Sequence, residues 1–117
     1  MKIASCQTPD IRNDVSAATL LIEEFATEAQ QRGAHLICFP ECFLQGYTSD
    51  REACNEIAID LGSPTFNVML RSLSRIETVI VVGLVERAGR FLYNSAVVIE
   101  KGDAAFSQLA PHSPLSR

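Results

Sequence analysis

Lysine is nearly absent from this 117-residue chain. Lys2 and Lys101 are the only two, and the other basic residues are arginines scattered singly. No Lys/Arg cluster offsets the formal net charge of −4, which argues against a nucleic-acid backbone as partner. No apolar run approaches the ~18 residues of a membrane span, so no membrane partner is expected and the chain reads as cytoplasmic. An apolar leader is also missing before Ile3-Ala4-Ser5-Cys6, which makes that stretch a strand rather than a lipoprotein cleavage box. Cys38-x-x-x-Cys42 has no second ligand pair at zinc-finger spacing, so a structural zinc is not expected. His35, close in sequence, reads as a packing residue. Cys6 and Cys38 lie in apolar segments and read as small buried hydrophobes. There is no internal repeat and no low-complexity segment.

What is present describes a globular chain. The apolar fraction is 47% and the charged fraction 21%, near the average for folded domains. The length allows at most one domain with a real core. Lys2 to Gln7 reads as a first strand, and Asn13 or Asp14 can cap a helix after it. Val15, Ala18, Ile22, Phe25, Ala26 and Ala29 share one helical face, with Glu23, Glu24, Glu28, Gln31 and Arg32 as the polar complement. Gly33 stops that helix. The run from Ala34 to Phe39 is apolar on both faces, as in an interior strand with layers above and below it. Arg51 to Ile59 suggests a short helix. Ser63 and Pro64 start another, with Phe66, Met69, Leu70 and Leu73 on one face; Arg71 and Arg75 read as its solvated side. Thr78 to Glu86 is a β-branched strand, and Phe91 to Glu100 returns antiparallel after the Ala88-Gly89 turn. Past Asp103 the periodicity fades into what reads as a tail. Strand, helix, strand, helices and hairpin make an α/β pattern with an antiparallel addition.

Glu41 stands out within this pattern. It ends the apolar stretch Leu36-Ile37-Cys38-Phe39-Pro40, just past the carboxyl end of a strand expected to be buried. In open α/β folds ligands bind there. Apolar flanks disfavour the ionised carboxylate, raise its pKa and suit it to carry a proton. The bland alternative is a loop carboxylate accepting backbone N–H bonds.

Two blocks carry a resemblance to a known family. Lys2-Ile3-Ala4 with Gln7, Gly33-Ala34-His35-Leu36-Ile37-Cys38-Phe39-Pro40-Glu41 and Gly46-Tyr47 form the first. Val79 to Glu86 followed by Leu92-Tyr93-Asn94-Ser95-Ala96-Val97-Val98-Ile99 forms the second. Together they resemble the N-terminal part of the nitrilase, or carbon–nitrogen hydrolase, superfamily over about residues 2–103. The resemblance implies an α-β-β-α sandwich, of which this chain supplies the front half: residues 1–103 as the nitrilase-like part and 104–117 as a divergent tail. It also implies a Glu-Lys-Cys triad. The cysteine attacks a nitrile or amide carbon, the glutamate is its base and the lysine stabilises developing charge; a thiol mostly protonated at neutral pH needs such a base. Glu41 matches the family's glutamate. Ala110 stands where the lysine is expected, and only His112 echoes that block. The family's cysteine lies further on than Arg117. Cys42 is not a substitute, because neighbours on an extended segment point to opposite sides. Tyr47 is a candidate to line a substrate pocket, or else it covers the core edge. Asn94 is a candidate to orient active-site loops, or else a structural strand residue.

Two functional expectations follow. One is a carbon–nitrogen hydrolase front half, inactive as an isolated chain, whose completed form takes a small nitrile or amide. The other is a non-catalytic module of the same fold that self-associates or binds a partner, because half a sandwich leaves edges and faces uncovered. A homo-oligomer is expected in either case, and no cofactor or metal is implied.

Overall fold

The computed structural model describes residues 1–6, 14–40, 43–45 and 56–111, with 105–111 described by backbone alone. Five strands form one sheet: β1 (Ile3–Ser5), β2 (Leu36–Cys38), β3 (Val79–Ala88), β4 (Phe91–Glu100) and β5 (Asp103–Pro111). They lie side by side in chain order. β1, β2 and β3 run parallel, while β3, β4 and β5 are joined antiparallel. Parallel neighbours need a crossover, and a helix supplies each one. α1 (Val15–Gln31) joins β1 to β2, and α2 (Pro64–Ser72) lies between β2 and β3.

Local chemistry sets the helix ends. Asp14 Oδ1 accepts from Ala17 N at 2.9 Å and caps α1, using up one of the unpaired first-turn donors. At the other end Gly33 takes φ +79. Its N–H donates to Gln30 O at 3.0 Å, and Ala34 N donates to Ala29 O at 2.9 Å. That pair of bonds is a Schellman stop, which favours a residue without Cβ. Ser63 Oγ accepts from Phe66 N to cap α2, and Pro64 occupies its first position.

One core lies between the helices and the sheet. Ala18, Ile22, Ala26 and Ala29 of α1 meet Phe66 and Met69 of α2 over Ile37, Ile80, Val82, Leu84, Val97 and Ile99. The strand register places these sheet residues on the same face. Side chains of this size contribute about 1.5–3 kcal/mol each when buried.

The opposite face carries Ile3, Leu36, Cys38, Val79, Val81, Ala96 and Val98. None of these is buried, and Ile3 is 61% exposed. β2 is therefore interior to the sheet, but among the described residues only one of its two faces is covered by helices.

The segment after Asp103 differs from its sequence reading. Within the stretch expected as a divergent tail the chain is regular up to Pro111, because β5 pairs with β4 along its length. The register slips between Val98 and Ile99: Val98 opposes Phe106, and Ile99 opposes Ala104. The extra residue is a bulge, which breaks the two-residue alternation that marks a strand in sequence. Alanines at 104, 105 and 110 also have weak β-propensity.

The two hairpin turns follow from backbone sign. Gly89 has φ +65 at the first central position of the β3–β4 turn. Lys101 and Gly102 have φ +50 and +83 in the β4–β5 turn. These match the primed turns that suit twisted strands.

Candidate active site at the carboxyl end of the parallel strands

β2 ends at Cys38 while β3 continues to Ala88. The chain beyond β2 stays attached to β3. Phe39 N donates to Val81 O at 2.9 Å, and Leu44 N donates to Gly83 O at 3.1 Å. Between these anchors Phe43 N donates to Pro40 O at 3.2 Å. The rings of Phe39 and Phe43 pack with centroids 5.1 Å apart, and both side chains are buried. Further along β3, Ile59 N donates to Val85 O at 2.9 Å, and Arg87 N donates to Ile59 O at 2.8 Å. The buried amide of Gln45 also pairs with Val85.

Glu41 and Tyr47 lie outside the described residues, as do Cys42, Cys54 and His112. Most of the expected 51–59 helix falls outside them too; residues 56 and 57 are helical. Of the described residues near Glu41 and Cys42 in sequence, Ile37, Phe39, Phe43 and Leu44 belong to the core, while Pro40 is exposed.

Neither lysine is placed to serve this end of the sheet. Lys2 Nζ donates to Arg32 O at 2.7 Å, closing the exposed end of α1. Lys101 sits in the β4–β5 turn, beside the pair Ile99–Ile80 at the start of β3. Ala110, by contrast, opposes Asn94, which opposes Val85. The register thus carries position 110 to the end of the sheet where Gln45 meets β3.

The described cysteines are free. Burial pushes the Cys6 thiol above its ordinary value, with Glu28 and then Cys38 adding to the effect. A thiol held protonated is a poor nucleophile. His35 Nδ1 accepts from Lys2 N at 3.2 Å. No cluster of metal-binding side chains occurs among the described residues, and no described helix is long and apolar enough to cross a membrane.

The sequence reading passed over one buried polar pair. Glu86 is 7% exposed and accepts from Ser95 Oγ at 2.7 Å. Parity was the available signal: Ile80, Val82 and Leu84 face the core, so Glu86 continues that row. A separate groove of about 460 Å³ runs between α1 and α2, lined by Val15, Thr19, Leu20, Glu23, Val68 and Met69 among others. None of the residues that anchor the 41–42 step lines it.

Comparison with known proteins gives these features a context. The family described as carbon-nitrogen hydrolase matches residues 2–112. A nitrilase of Pyrococcus abyssi is 39% identical over 79 residues, covering 66% of this chain and 30% of the nitrilase. The solved amidase from Nesterenkonia sp. superposes with a TM-score of 0.74 at 23% identity, covering 93% of this chain and 42% of the amidase. The glutamine-dependent NAD+ synthetase from Acinetobacter baumannii gives 0.75 at 24% identity, covering 92% and 20%. These superpositions show a shared fold. The chain spans about a third or less of the length of the curated relatives it matches.

Proposed function

The chain belongs to the carbon–nitrogen hydrolase family, and from that premise we propose that Glu41 is the general base of a Glu-Lys-Cys hydrolase of small nitriles or amides. The observation that carries the proposal is where the family match meets the fold. Beyond β2 the buried rings of Phe39 and Phe43 pack together, and the chain on either side of positions 41 and 42 is tied to β3. A carboxylate desolvated by such neighbours would be suited to take a thiol proton. Tyr47 is proposed to line the substrate pocket of the same site.

Residues 1–117 carry one triad member of three. Position 110 is alanine, the two lysines are engaged or distant, and Cys6 is held protonated. The proposal is therefore that this polypeptide alone hydrolyses neither nitriles nor amides. The stretch after Asp103 continues the fold as β5 to Pro111, and the family match runs to residue 112. The reading further assigns the protein to the cytoplasm as a homo-oligomer, with no cofactor in its chemistry. Ammonia release from nitriles and aliphatic amides tests it. Turnover by the isolated chain that vanishes in Glu41→Gln contradicts the claim of inactivity and supports the role of Glu41.

A second reading rests on the uncovered sheet face. Leu36, Cys38, Val79, Val81 and Val98 are half-buried, with no helix over them among the described residues. Apolar surface of that kind favours association at about 25 cal/mol per Å² covered. In this reading the chain is a binding module that covers the face with a second copy. A clean monomer with a cooperative melt counts against it.

A further inference from the structure

On β3 the Val85 N–H is bonded by a side chain where a strand would otherwise supply a backbone carbonyl, while Val85 O also accepts from Ile59 N at 2.9 Å. Odd-numbered residues of β3 turn their backbone groups toward the β2 side, as the bonds at Val81 and Gly83 show. At Val85, Gln45 Nε2 donates to the carbonyl at 2.7 Å, and Gln45 Oε1 accepts from the amide at 3.0 Å. Nε2 also donates to Ile57 O at 3.2 Å. The orientation of the amide is fixed by chemistry, because Val85 N–H needs an acceptor and only Nε2 can donate to the two carbonyls. Gln45 is 1% exposed, so losing its side chain strands the buried Val85 N–H, while Val85 O keeps Ile59 N.

A primary amide presents one donor and one acceptor on the same edge, as a peptide unit does. Gln45 therefore supplies the acceptor for Val85 N–H, between the backbone bond at Gly83 and the Ile59 bridge. It follows Glu41 by four positions, and with the Phe39 and Leu44 bonds it ties both ends of the 41–42 step to one strand. We infer that Gln45 is a positioning residue that fixes the segment following Glu41 against β3. This rests on the reading of Glu41 as general base. The bonds of Gln45 go to Ile57 and Val85; its role is to hold the segment that follows the carboxylate in place.

NMR on the 117-residue chain tests this with three variants: Gln45→Leu, Gln45→Glu and the core control Ile22→Val. Gln45→Leu is expected to speed hydrogen exchange at the Val85 amide by about 10- to 100-fold relative to Ile80 and Val82. It also lowers the order parameter of the Glu41 amide, which Ile22→Val leaves unchanged. Gln45→Glu resembles Gln45→Leu at neutral pH, because a carboxylate cannot donate to Val85 O. Below the pKa of the new carboxyl it regains wild-type values, because a protonated acid again offers a donor and an acceptor. Unchanged Glu41 order in Gln45→Leu, or no recovery of Gln45→Glu at low pH, overturns the inference. The wild-type Glu41 titration judges the other reading separately. A carboxyl titrating at the ordinary value of about 4.3 counts against the general base, while the order parameters still decide the role of Gln45.

Discussion

Three glycines with positive φ separate backbone strain from packing, and one of them reports on how β5 is held. Gly33, Gly89 and Gly102 have φ of +79, +65 and +83. A Cβ on Gly33 or Gly89 meets nothing within 4 Å. A Cβ on Gly102 falls 2.9 Å from Leu70 O and 2.9 Å from Ser74 Cα and Cβ. Two of those atoms are backbone, so the turn or the end of α2 must move. Placing alanine in the left-handed region costs about 1–2 kcal/mol. Overpacking against a fixed neighbour adds about 1–3 kcal/mol. Gly89→Ala and Gly33→Ala are thus expected to lose only the first amount, and Gly102→Ala about 2–5 kcal/mol. Urea unfolding of the three variants measures the difference directly, provided the slope is unchanged. Gly102→Ala within 0.5 kcal/mol of Gly89→Ala, roughly the additivity error, refutes the docking of the β4–β5 turn on α2. It then also removes the argument that β5 and position 110 are carried by a fixed hairpin.

Ser95→Ala removes the hydroxyl donor 2.7 Å from buried Glu86 and should cost about 1–3 kcal/mol, with part recovered by adding Glu86→Gln; thermal melts of the single and double variants check this. Cys6 gives a pH signature. Its folded pKa lies above the ordinary 9.0, so the unfolded chain loses this proton first as pH rises. Stability is unaffected by Cys6 below that ordinary value and declines above it. Urea titrations from neutral to alkaline pH should show a steeper decline in wild type than in Cys6→Ala, and equal slopes contradict the burial of that thiol. Val81→Glu places a charge on the uncovered face. Light scattering should show less self-association than in wild type, with little change in the core melt.

Much of the fold was legible because its signals are local. Asp14, Gly33, Ser63 and Pro64 mark helix ends through chemistry acting within a few residues. The β-branched run in β3 and the glycine after it mark the hairpin. β5 was not legible, because its pairing depends on the open edge of β4 and its bulge hides the alternation. An uncovered face was expected of half a sandwich, but not which one: β2 reads as apolar throughout, and sequence alone does not say which of its faces the helices take. At the candidate site, Glu41 stood out as a carboxylate ending an apolar run. Gln45 and Glu86 did not, because their roles come from partners 40 and 9 residues away. A buried glutamine in a loop looks like any surface glutamine until the strand it completes is known.

In the proposed function Glu41 is a hydrolase base, and Ala110 stands where the resemblance to the family expects the lysine. The most direct test joins residues 1–112 to the remainder of an active amidase of the family and measures amide hydrolysis. The account predicts that the chimera with Ala110 folds but is inactive. Ala110→Lys restores turnover, and adding Glu41→Gln then lowers kcat by about 10²–10⁴-fold. Turnover with Ala110 in place, or turnover in the Ala110→Lys chimera that survives Glu41→Gln, contradicts it.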